Sequence, residues 1–388
     1  MNRQIIPHYD VIIIGAGSVG APAAFSIAKA GLKVLVIDRA ASAGQESNKR
    51  AIGGVRATHS DPAKIRLCLR SIEIFSTWRE MYGDDIEWYS GGYVFVAYRE
   101  QEEKTLKDLL LKQHSFGLNI NWLDQYPLRQ VVPDLNQDGL IGGTYSPEDG
   151  SASPMLAIHA FYCRAIQHGA KFLFHETVQS LEQQSGRIVA VRTDKGLYGA
   201  DVVINAAGGD ARRIGDLAGV DLPVFPDSHE AAITEPVSRF LDPMVVDIRP
   251  APGSSNFYFY QHLTGQIVFC ITPSPNIWGN QIEETSDFLP MVSRRMLEVM
   301  PRLRNIRVRR TWRGLYPMTP DGFPIIGYAQ NCSNFLQAVG MCGQGFMLGP
   351  GLGELLARLI TKQLQPEDSL TLDILSPQRK FAGQEMLK

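Results

Sequence analysis

The chain has 388 residues, 44% of them hydrophobic and 20% charged, and a formal net charge of −2 at pH 7. This length allows about two or three domains around a sizeable core, and the mixed acidic and basic residues exclude the strongly basic surface typical of nucleic-acid-binding proteins. The five cysteines lack CxxC spacing and no hydrophobic run is long enough to span a bilayer, so we expect a cytoplasmic enzyme without disulfides, bound metal or a membrane span.

The first predicted unit is a strand, a glycine-rich turn, a helix and a second strand over residues 10–38. In "DVIIIGAGSVG", Gly15, Gly17 and Gly20 form a GxGxxG motif between the strand and the helix. Glycines there allow a tight turn, let backbone amides approach a pyrophosphate, and let helix and strand pack closely. Asp38 ends the next strand, where an acid accepts hydrogen bonds from ribose hydroxyls and disfavours the 2′-phosphate of NADP. The motif therefore predicts a dinucleotide site, for either NAD or FAD.

The centre of the chain alternates between predicted helices and β-rich segments. Hydrophobic residues at helical spacing predict helices over about residues 62–82, 100–114, 154–168 and 286–300. Short apolar or alternating runs predict strands on both sides of a Gly91-Gly92 turn, in a hairpin around Ser185-Gly186, in "VVINAAGG" at 202–209, and between 224 and 312. This alternation indicates two interleaved domains rather than two domains in series.

The last part of the chain contains a turn, a short strand and a second glycine-rich loop. The turn and strand are predicted in "TPDGFPIIG" at 319–327, and the loop is "GMCGQGFMLGPGLGELL" at 340–356. We expect the final long helix to begin near Gly351. Glycines allow close approach of the backbone to a ligand, so the loop is a second candidate for cofactor contact.

Together these motifs resemble the D-amino-acid-oxidase-like FAD oxidoreductases, which include sarcosine oxidase, glycine oxidase, dimethylglycine-type enzymes and the β subunits of dye-linked proline dehydrogenase. The resemblance rests on "GAGSVG" with Asp38, on "SNKRAIGGVR" at 47–56, and on the three later motifs, in the order of the family. It implies an α/β (α+β) fold with a Rossmann-like FAD-binding domain interleaved with a mostly antiparallel-sheet substrate domain. The expected FAD-binding domain comprises 1–87, 146–222 and 320–388, and the substrate domain 88–145 and 223–319.

The resemblance also implies where FAD is held. Non-covalent binding is expected, because Gly314 stands where some sarcosine oxidases attach flavin through a cysteine. The C-terminal loop would bring backbone amides to the pyrimidine edge of the flavin, where a helix N-terminus stabilises the negative charge of the reduced ring. The implied cofactor-binding residues are Gly15, Gly17, Ser18, Val19, Gly20, Asp38, Arg39, Ser47, Asn48, Arg50, Ala51, Val178, Ala207, Gly208, Gly314, Gly343, Gln344, Gly345, Phe346 and Met347.

The resemblance maps residues 47–56 onto the loop that passes the flavin ring, hereafter the flavin loop, and two residues in or beside it are candidates for substrate recognition. Arg56 falls where the resemblance implies an arginine for the substrate carboxylate, and the planar guanidinium fork suits that anion. The alternative is an arginine in a structural ion pair. His59 flanks the same loop and is a pocket candidate, with a structural histidine as the alternative.

The stretch "NFYFYQH" resembles the family strand that covers the flavin, on which relatives place a tyrosine near the substrate. Strand alternation puts Tyr258 and Tyr260 on the face opposite Phe257 and Phe259. We therefore expect the Tyr258 hydroxyl to face the substrate, with core packing as the alternative. Trp312 and Tyr316 are expected to complete an aromatic wall there.

The resemblance implies oxidation of a small or secondary amino acid, like sarcosine, glycine or proline, by hydride transfer from Cα to flavin N5, followed by imine hydrolysis. Met347 and Phe269 align with two lysines of sarcosine oxidases, one for the substrate carboxylate and one for oxygen activation. This departure favours a dehydrogenase over an oxidase. A 2-hydroxy-acid dehydrogenase and an electron-relaying subunit of a larger amine dehydrogenase remain alternatives, while the second glycine loop disfavours an NAD enzyme. A heteromeric electron-accepting subunit or a homo-oligomer is compatible with the sequence.

Overall fold

The computed structural model describes residues 6–387. Its strands are β1 His8–Ile14, β2 Val34–Ile37, β3 Gly54–Val55, β4 Tyr93–Ala97, β5 Asn121–Asp124, β6 Gly142–Ser146, β7 Gly150–Ser151, β8 Lys171–Leu173, β9 Val178–Gln184, β10 Arg187–Thr193, β11 Leu197–Asn205, β12 Phe225–Thr234, β13 Met244–Asp247, β14 Ser254–Gln261, β15 Ile267–Pro273, β16 Val308–Met318, β17 Ile325–Ala329 and β18 Cys332–Val339. Its α-helices are α1 Gly20–Lys29, α2 Pro62–Tyr82, α3 Glu100–Ser115, α4 Gln125–Val131, α5 Pro154–Gln167, α6 Ala211–Asp216, α7 Phe288–Val299, α8 Gly345–Ile360 and α9 Pro366–Ile374.

The first large sheet has the strand order β17-β18-β11-β1-β2-β8, with β10 and β9 added through β11. Strands β18, β11, β1, β2 and β8 run parallel to one another. Strand β2 is buried along its whole length and β1 nearly so, which explains their continuous apolar sequences. This sheet carries the GxGxxG turn at the carboxyl end of β1, the usual place for a ligand in a parallel sheet.

The second large sheet has the order β16-β12-β15-β14-β13-β4-β6-β5 and is antiparallel except where β13 pairs with β4. One face, including Phe257, Phe259 and Phe269, packs with α7 in a hydrophobic core. The other face carries Tyr260 and Val268 in a second cluster. Strand alternation in "NFYFYQH" is therefore confirmed, with tyrosines and phenylalanines on opposite faces.

The two sheets draw on alternating parts of the chain. The first sheet uses residues between 8 and 37, 171 and 205, and 325 and 339, whereas the second uses residues between 93 and 146 and between 225 and 318. The fold class is confirmed as mixed α/β with one mainly parallel and one mainly antiparallel sheet. The residue numbers assigned to the domain boundaries stay a prediction.

Helix α2 shows why several helix predictions were accurate to about one residue. Asp61 caps its N-terminus by accepting a 3.1 Å hydrogen bond from the amide of Lys64, Pro62 occupies the first turn, and Gly83 ends it in the left-handed conformation at φ 79°. One strand prediction was wrong. The residues before Gly91 form only an isolated bridge between Tyr89 and Ser151.

Helix α8 packs against α1 through a stripe of glycines at every fourth position. A Cβ at Gly349 would lie 1.9 Å from the carbonyl oxygen of Ser18, and one at Gly353 would lie 2.8 Å from the backbone of Pro22. Gly345 begins the stripe, with its Cβ position 2.9 Å from the Ser18 Oγ. Residues four apart share one helix face, so these glycines let the two helices meet backbone to backbone.

The start of α8 differs from the prediction. The helix begins at Gly345 rather than near Gly351, and Pro350 lies inside it. The amide of Gly351 donates a 3.0 Å hydrogen bond to the Oγ of Ser71 on α2, and a Cβ at Gly351 would lie 2.3 Å from the carbonyl oxygen of Leu67. Helix α8 is thus held between α1 and α2. Within residues 6–387 no helix is long and apolar enough to cross a bilayer.

Candidate functional site

A cavity of about 500 Å³ lies between the two large sheets. The carboxyl ends of β1, β2, β11 and β18 form one side, and β4, β13, β14 and β16 contribute residues to the other. The loop at 45–56 and the glycine loop at 340–347 complete the lining. Both glycine-rich motifs of the sequence therefore face the same cavity.

Every residue predicted to bind the cofactor lines this cavity except Gly20. Gly20 has a packing role, because a Cβ there would lie 1.8 Å from the carbonyl oxygen of Gly15. A Cβ at Gly17 would meet no atom within 4 Å, so the turn leaves open space there. The buried Oε1 of Gln344 has no hydrogen-bond partner among the described residues. Open space beside the turn and an unpaired polar atom are what a bound dinucleotide would fill and satisfy.

Asp38 organises the end of the cavity beside the GxGxxG turn. Its carboxylate accepts hydrogen bonds from the amide of Ala16 at 2.6 Å and from the amide of Ala40 at 2.7 Å. These bonds tie the GxGxxG turn to the end of β2. A carboxylate has lone pairs for further donors, so Asp38 can also accept bonds from ribose hydroxyls. The neighbouring Arg39 is half exposed and pairs with Asp210 at 2.7 Å.

The flavin loop is anchored to the second sheet. The Oγ of Ser47 donates to the carbonyl of Leu315 at 3.0 Å, and the indole nitrogen of Trp312 donates to the carbonyl of Arg50 at 2.8 Å. Trp312 thus holds the loop from behind and does not line the cavity, so its predicted place in an aromatic wall was wrong. Gly314 lines the cavity and offers no side chain for a covalent link, although non-covalent FAD stays a prediction.

The second glycine loop fits around an aromatic ring. A Cβ at Gly343, where φ is 81°, would lie 2.1 Å from the ring of Tyr316. The hydroxyl of Tyr316 is 2.8 Å from that of Tyr258, and both residues line the cavity. Burial raises the pKa of both hydroxyls well above the usual value, so each stays protonated at neutral pH.

A buried histidine and aspartate support this tyrosine pair. The ring of His229 stacks on that of Tyr316, and its Nε2 is 3.0 Å from the carboxylate of Asp227. Burial lowers the pKa of His229, so the neutral ring donates from Nε2 to Asp227. The sequence reasoning missed both residues, although strand alternation in "DSHE" places them on one face of β12.

Arg56 is buried and lines the cavity. Its Nη1 donates to the carbonyl of Thr58 and lies 3.2 Å from Nδ1 of His59, while its Nη2 donates to the carbonyl of Leu387 at 2.6 Å. The guanidinium also lies 5.3 Å from the centre of the Phe95 ring. Arginine has five N–H donors, so Nε and one hydrogen of Nη2 have no partner among the described residues.

His59 does not line the cavity, so its predicted place in the substrate pocket was wrong. It is fully buried behind Arg56, and burial together with that arginine lowers its pKa well below the usual value. Arginine can only donate, so Nδ1 of His59 is the acceptor and Nε2 carries the proton. Nε2 faces the Sγ of Cys68 at 3.4 Å. The neutral His59 ring therefore accepts a hydrogen bond from Nη1 of Arg56.

A buried ion pair beside Arg56 was also not predicted from the sequence. Lys64 is fully buried on α2, donates to the carbonyl of Gly322 at 2.7 Å, and lies 3.3 Å from the carboxylate of Glu385. The helical spacing of Lys64, Cys68 and Ser71 on the buried face of α2 was a usable signal. Nothing in the local sequence around Glu385 indicated its burial.

Phe269, which the resemblance aligns with the oxygen-activating lysine of sarcosine oxidases, does not line the cavity. Phe269 pairs with Phe259 across the sheet and packs into the core on the side of α7, away from the cavity. Tyr258 pairs instead with Cys270. A shift of one residue along a strand exchanges its faces, so Cys270, which follows Phe269, lies on the side of Tyr258. Met347 does line the cavity, and no lysine lines it within residues 6–387.

The chain is similar in sequence and in structure to known proteins. A family profile described as "DAO: FAD dependent oxidoreductase" matches residues 10–359. The chain is 25% identical over 410 residues to the hydrogen cyanide synthase subunit HcnC of Pseudomonas aeruginosa, with 95% of each chain covered. Among solved structures, L-proline dehydrogenase from P. horikoshii is similar with a TM-score of 0.89 and 31% identity, covering 96% of this chain and 98% of that one. Glycine oxidase from Geobacillus kaustophilus shares the fold, with a TM-score of 0.85 and 23% identity over 96% and 99% of the two chains.

Proposed function

Because the chain belongs to the DAO family of FAD-dependent oxidoreductases, we propose that it oxidises a small secondary amino acid of about the size of proline to the corresponding imine. The main observation in support of this function is that Arg56 is buried, lines the FAD cavity and has two unpaired N–H donors. A carboxylate accepts two parallel bonds from such a fork.

The cofactor supplies the redox chemistry when it is bound: FAD accepts the hydride from the substrate Cα. The substrate amine loses its N–H proton to solvent, and water then hydrolyses the released imine to a carbonyl compound and an amine. In a cyclic substrate the carbonyl and the amine formed by hydrolysis stay in one molecule. The residues of this chain bind and orient the substrate and need not supply a strong base if the amine binds unprotonated.

The lining around Arg56 suits a small, weakly polar substrate. The ring of Phe95 lies 5.3 Å from the Arg56 guanidinium. Phe95 shares an apolar cluster with four other residues that line the cavity, Ile52, Tyr93, Met244 and Val246. None of the acidic residues that line the cavity comes from the second sheet: they are Asp38, Glu46, Glu176 and Asp210. A cationic amine would therefore find no carboxylate near the aromatic residues, which favours a neutral amine there.

The tyrosine pair is the candidate for orienting the amine. The hydroxyls of Tyr258 and Tyr316 share one hydrogen bond, and the buried thiol of Cys270 is a further partner of both. Each hydroxyl oxygen has two lone pairs, so the pair keeps an acceptor position for the substrate N–H. A substrate bound by Arg56 at the carboxylate and by this pair at the nitrogen would have its Cα held in one orientation. Such positioning is the main contribution that the protein can make to hydride transfer.

Two observations support a dehydrogenase of a proline-like substrate. The solved L-proline dehydrogenase shares 31% identity with this chain over nearly its whole length. No lysine lines the cavity in the described part of the chain, so the oxygen-activating group implied by sarcosine oxidases is missing there. We expect electrons to leave through an acceptor other than oxygen, such as a quinone or an electron-accepting subunit. The HcnC relative is itself described as a subunit.

Anaerobic reduction of the bound flavin tests this function directly. The purified holoprotein is mixed without oxygen with each enantiomer of proline, with sarcosine, with glycine, with pyrrolidine, which lacks the carboxylate, and with L-lactate. We expect one enantiomer of proline to bleach the flavin fastest and pyrrolidine to be slower by about tenfold or more. Readmitted oxygen should restore the colour slowly, and an artificial quinone quickly.

The other outcomes distinguish the alternatives. Fast bleaching by lactate but not by amines would identify a 2-hydroxy-acid dehydrogenase. A flavin that no compound reduces, but that a chemical reductant bleaches, would support an electron-relaying subunit. Rapid return of colour in oxygen would identify an oxidase and contradict the predicted acceptor.

A further inference from the structure

A buried charged cluster lies behind Arg56, and residues 383–387 form one side of it. Glu385 accepts hydrogen bonds from the amide and the hydroxyl of Ser60, at 3.0 and 2.5 Å. Its other oxygen lies 3.3 Å from Nζ of Lys64, in an ion pair whose geometry does not make a hydrogen bond. The side chains of Lys64 and Glu385 are at most 1% exposed, so neither charge is solvated by bulk water.

We propose that residues 383–387, hereafter the 383–387 segment, are a positioning element that sets the orientation of Arg56 and thereby the preference of the enzyme for substrates with a carboxylate. Glu385 fixes the segment to α2, and the carbonyl of Leu387 holds Nη2 of Arg56. This inference rests on the proposed function, because it assigns a role to the same substrate site.

The segment is fixed at two points that use different interactions. At the first, Glu385 compensates the charge of Lys64 and accepts a further bond from the amide of Leu387 at 3.1 Å. At the second, the Leu387 side chain is fully buried in the apolar cluster that contains Tyr93 and Phe95. The carbonyl of Leu387 is therefore held in place from both sides, which makes it a defined acceptor for Arg56.

The bonds to Arg56 decide which of its donors face the substrate. Thr58 and His59 occupy Nη1, and Leu387 occupies one hydrogen of Nη2. Nε and the second hydrogen of Nη2 therefore remain as the unpaired donors among the described residues. Without the Leu387 carbonyl, Nη2 would lose a fixed partner and the guanidinium could rotate about its stem. The cost would fall on carboxylate binding and not on FAD binding.

A double comparison of variants and substrates tests this role. The measured quantity is the ratio of second-order rate constants for anaerobic flavin reduction by proline and by pyrrolidine. Glu385→Gln removes the charge that fixes the segment, and we expect it to lower this ratio by about tenfold while leaving reduction by pyrrolidine within about threefold of wild type. Glu385→Asp should restore part of the ratio. The matched control is Glu367→Gln, on the exposed side of α9.

A second variant guards against a folding defect. Leu387→Gly keeps the backbone carbonyl but removes the side chain that anchors it, so we expect the ratio to fall in the same direction and by less. A general loss of structure would instead slow both substrates together. An unchanged ratio in both variants, with a wild-type flavin spectrum, would overturn the positioning role while leaving the proposed function intact.

Failure of the proposed function can be told apart from failure of this inference. If no amine reduces the wild-type flavin, the dissociation constant of cyclopentanecarboxylate, measured from the shift in flavin absorbance, replaces the rate ratio. Weaker binding by about tenfold in Glu385→Gln would still support the positioning of Arg56. Equal binding in wild type and variant, or no binding to either, would refute it.

Discussion

The ring of Tyr316 is stacked on the ring of His229, with the ring centres 3.7 Å apart and the planes 16° from parallel. Asp227 holds His229 through Nε2, and Gly343, whose Cβ would lie 2.1 Å from the Tyr316 ring, leaves room for that ring. The Tyr316 hydroxyl consequently has little freedom to move away from Tyr258. Tyr258 and Tyr316 therefore form a hydrogen-bonded pair with a fixed position in the cavity wall.

Removing the hydroxyl but keeping the ring isolates the contribution of this pair. In Tyr316→Phe the stack on His229 is preserved, whereas the bond to Tyr258 is lost. We expect flavin reduction by proline to slow by about tenfold, with a small change in the melting temperature of the holoprotein. Tyr98→Phe is the control, because the Tyr98 hydroxyl bonds the carbonyl of Asn136 outside the cavity. Equal effects of the two variants on the rate would contradict a role for the pair.

Arg56→Lys tests whether the Arg56 guanidinium binds the substrate carboxylate through two parallel hydrogen bonds. Lysine keeps the charge but cannot donate two parallel bonds to a carboxylate. We expect the rate constant for reduction by proline to fall by about tenfold to a hundredfold, with reduction by pyrrolidine nearly unchanged. Arg66→Lys, at a position outside the cavity lining, should behave as wild type. A parallel loss with both amines would show that Arg56 maintains structure and does not select the substrate.

Gly349→Ala should destabilise the protein although alanine favours helices. The gain in helix propensity is about 1 kcal/mol, whereas the new Cβ would lie 1.9 Å from a backbone carbonyl that cannot rotate away. We expect a net loss of about 2 kcal/mol or more, seen as a lower melting temperature at saturating FAD. Gly345→Ala is the matched comparison, because its Cβ would meet the rotatable Oγ of Ser18 at 2.9 Å. A melting temperature raised by Gly349→Ala would argue against the backbone contact.

Asp149 provides a prediction for pH. Burial raises the pKa of this carboxyl to about 6, against the opposing bonds from the amide of Ala57 and the hydroxyl of Thr58. The native state therefore holds a proton that the unfolded state has released, so this group's contribution to stability is full below about pH 4 and is lost as pH rises through 6.

Asp149→Asn removes that titration. We expect the free energy of unfolding of wild type, relative to the variant, to fall by about 2 kcal/mol between pH 4 and pH 7. Urea unfolding at fixed FAD and several pH values measures the difference. Asp138→Asn, at an exposed position, should show no such trend. Parallel pH curves for wild type and Asp149→Asn would contradict the raised pKa.

The parts of the fold that follow local rules were predictable from sequence. The GxGxxG turn, the capped start of α2 and the alternation around Tyr258 each depend on neighbouring residues, and each was located correctly. The start of α8 was misplaced because Pro350 and its glycines read as a loop. Their reason is tertiary, since Gly351 bonds Ser71 and packs on α2.

The substrate end of the cavity was harder to predict because its contacts are distant in the chain. Arg56 was predicted to lie at the cavity and does line it, but the carbonyl that holds it belongs to Leu387. The charge of Lys64 is compensated by Glu385, and no local pattern connects these two residues. His59 is three residues from Arg56 but is fully buried outside the cavity lining, a distinction that depends on how the loop turns at Thr58.

Because of the glycine stripe of α8, the position of the second glycine-rich loop depends on that of the GxGxxG turn. Ser18 belongs to the GxGxxG turn, and Gly345 begins the helix that follows the second glycine-rich loop. The backbone of Ser18 lies against Gly349, one turn further along that helix. A shift of α8 relative to α1 would therefore change the distance between the GxGxxG turn and the second glycine-rich loop. The length available to the cofactor is set by helix packing, and substitutions at the stripe should alter FAD retention even though Gly349 and Gly353 lie outside the cavity lining.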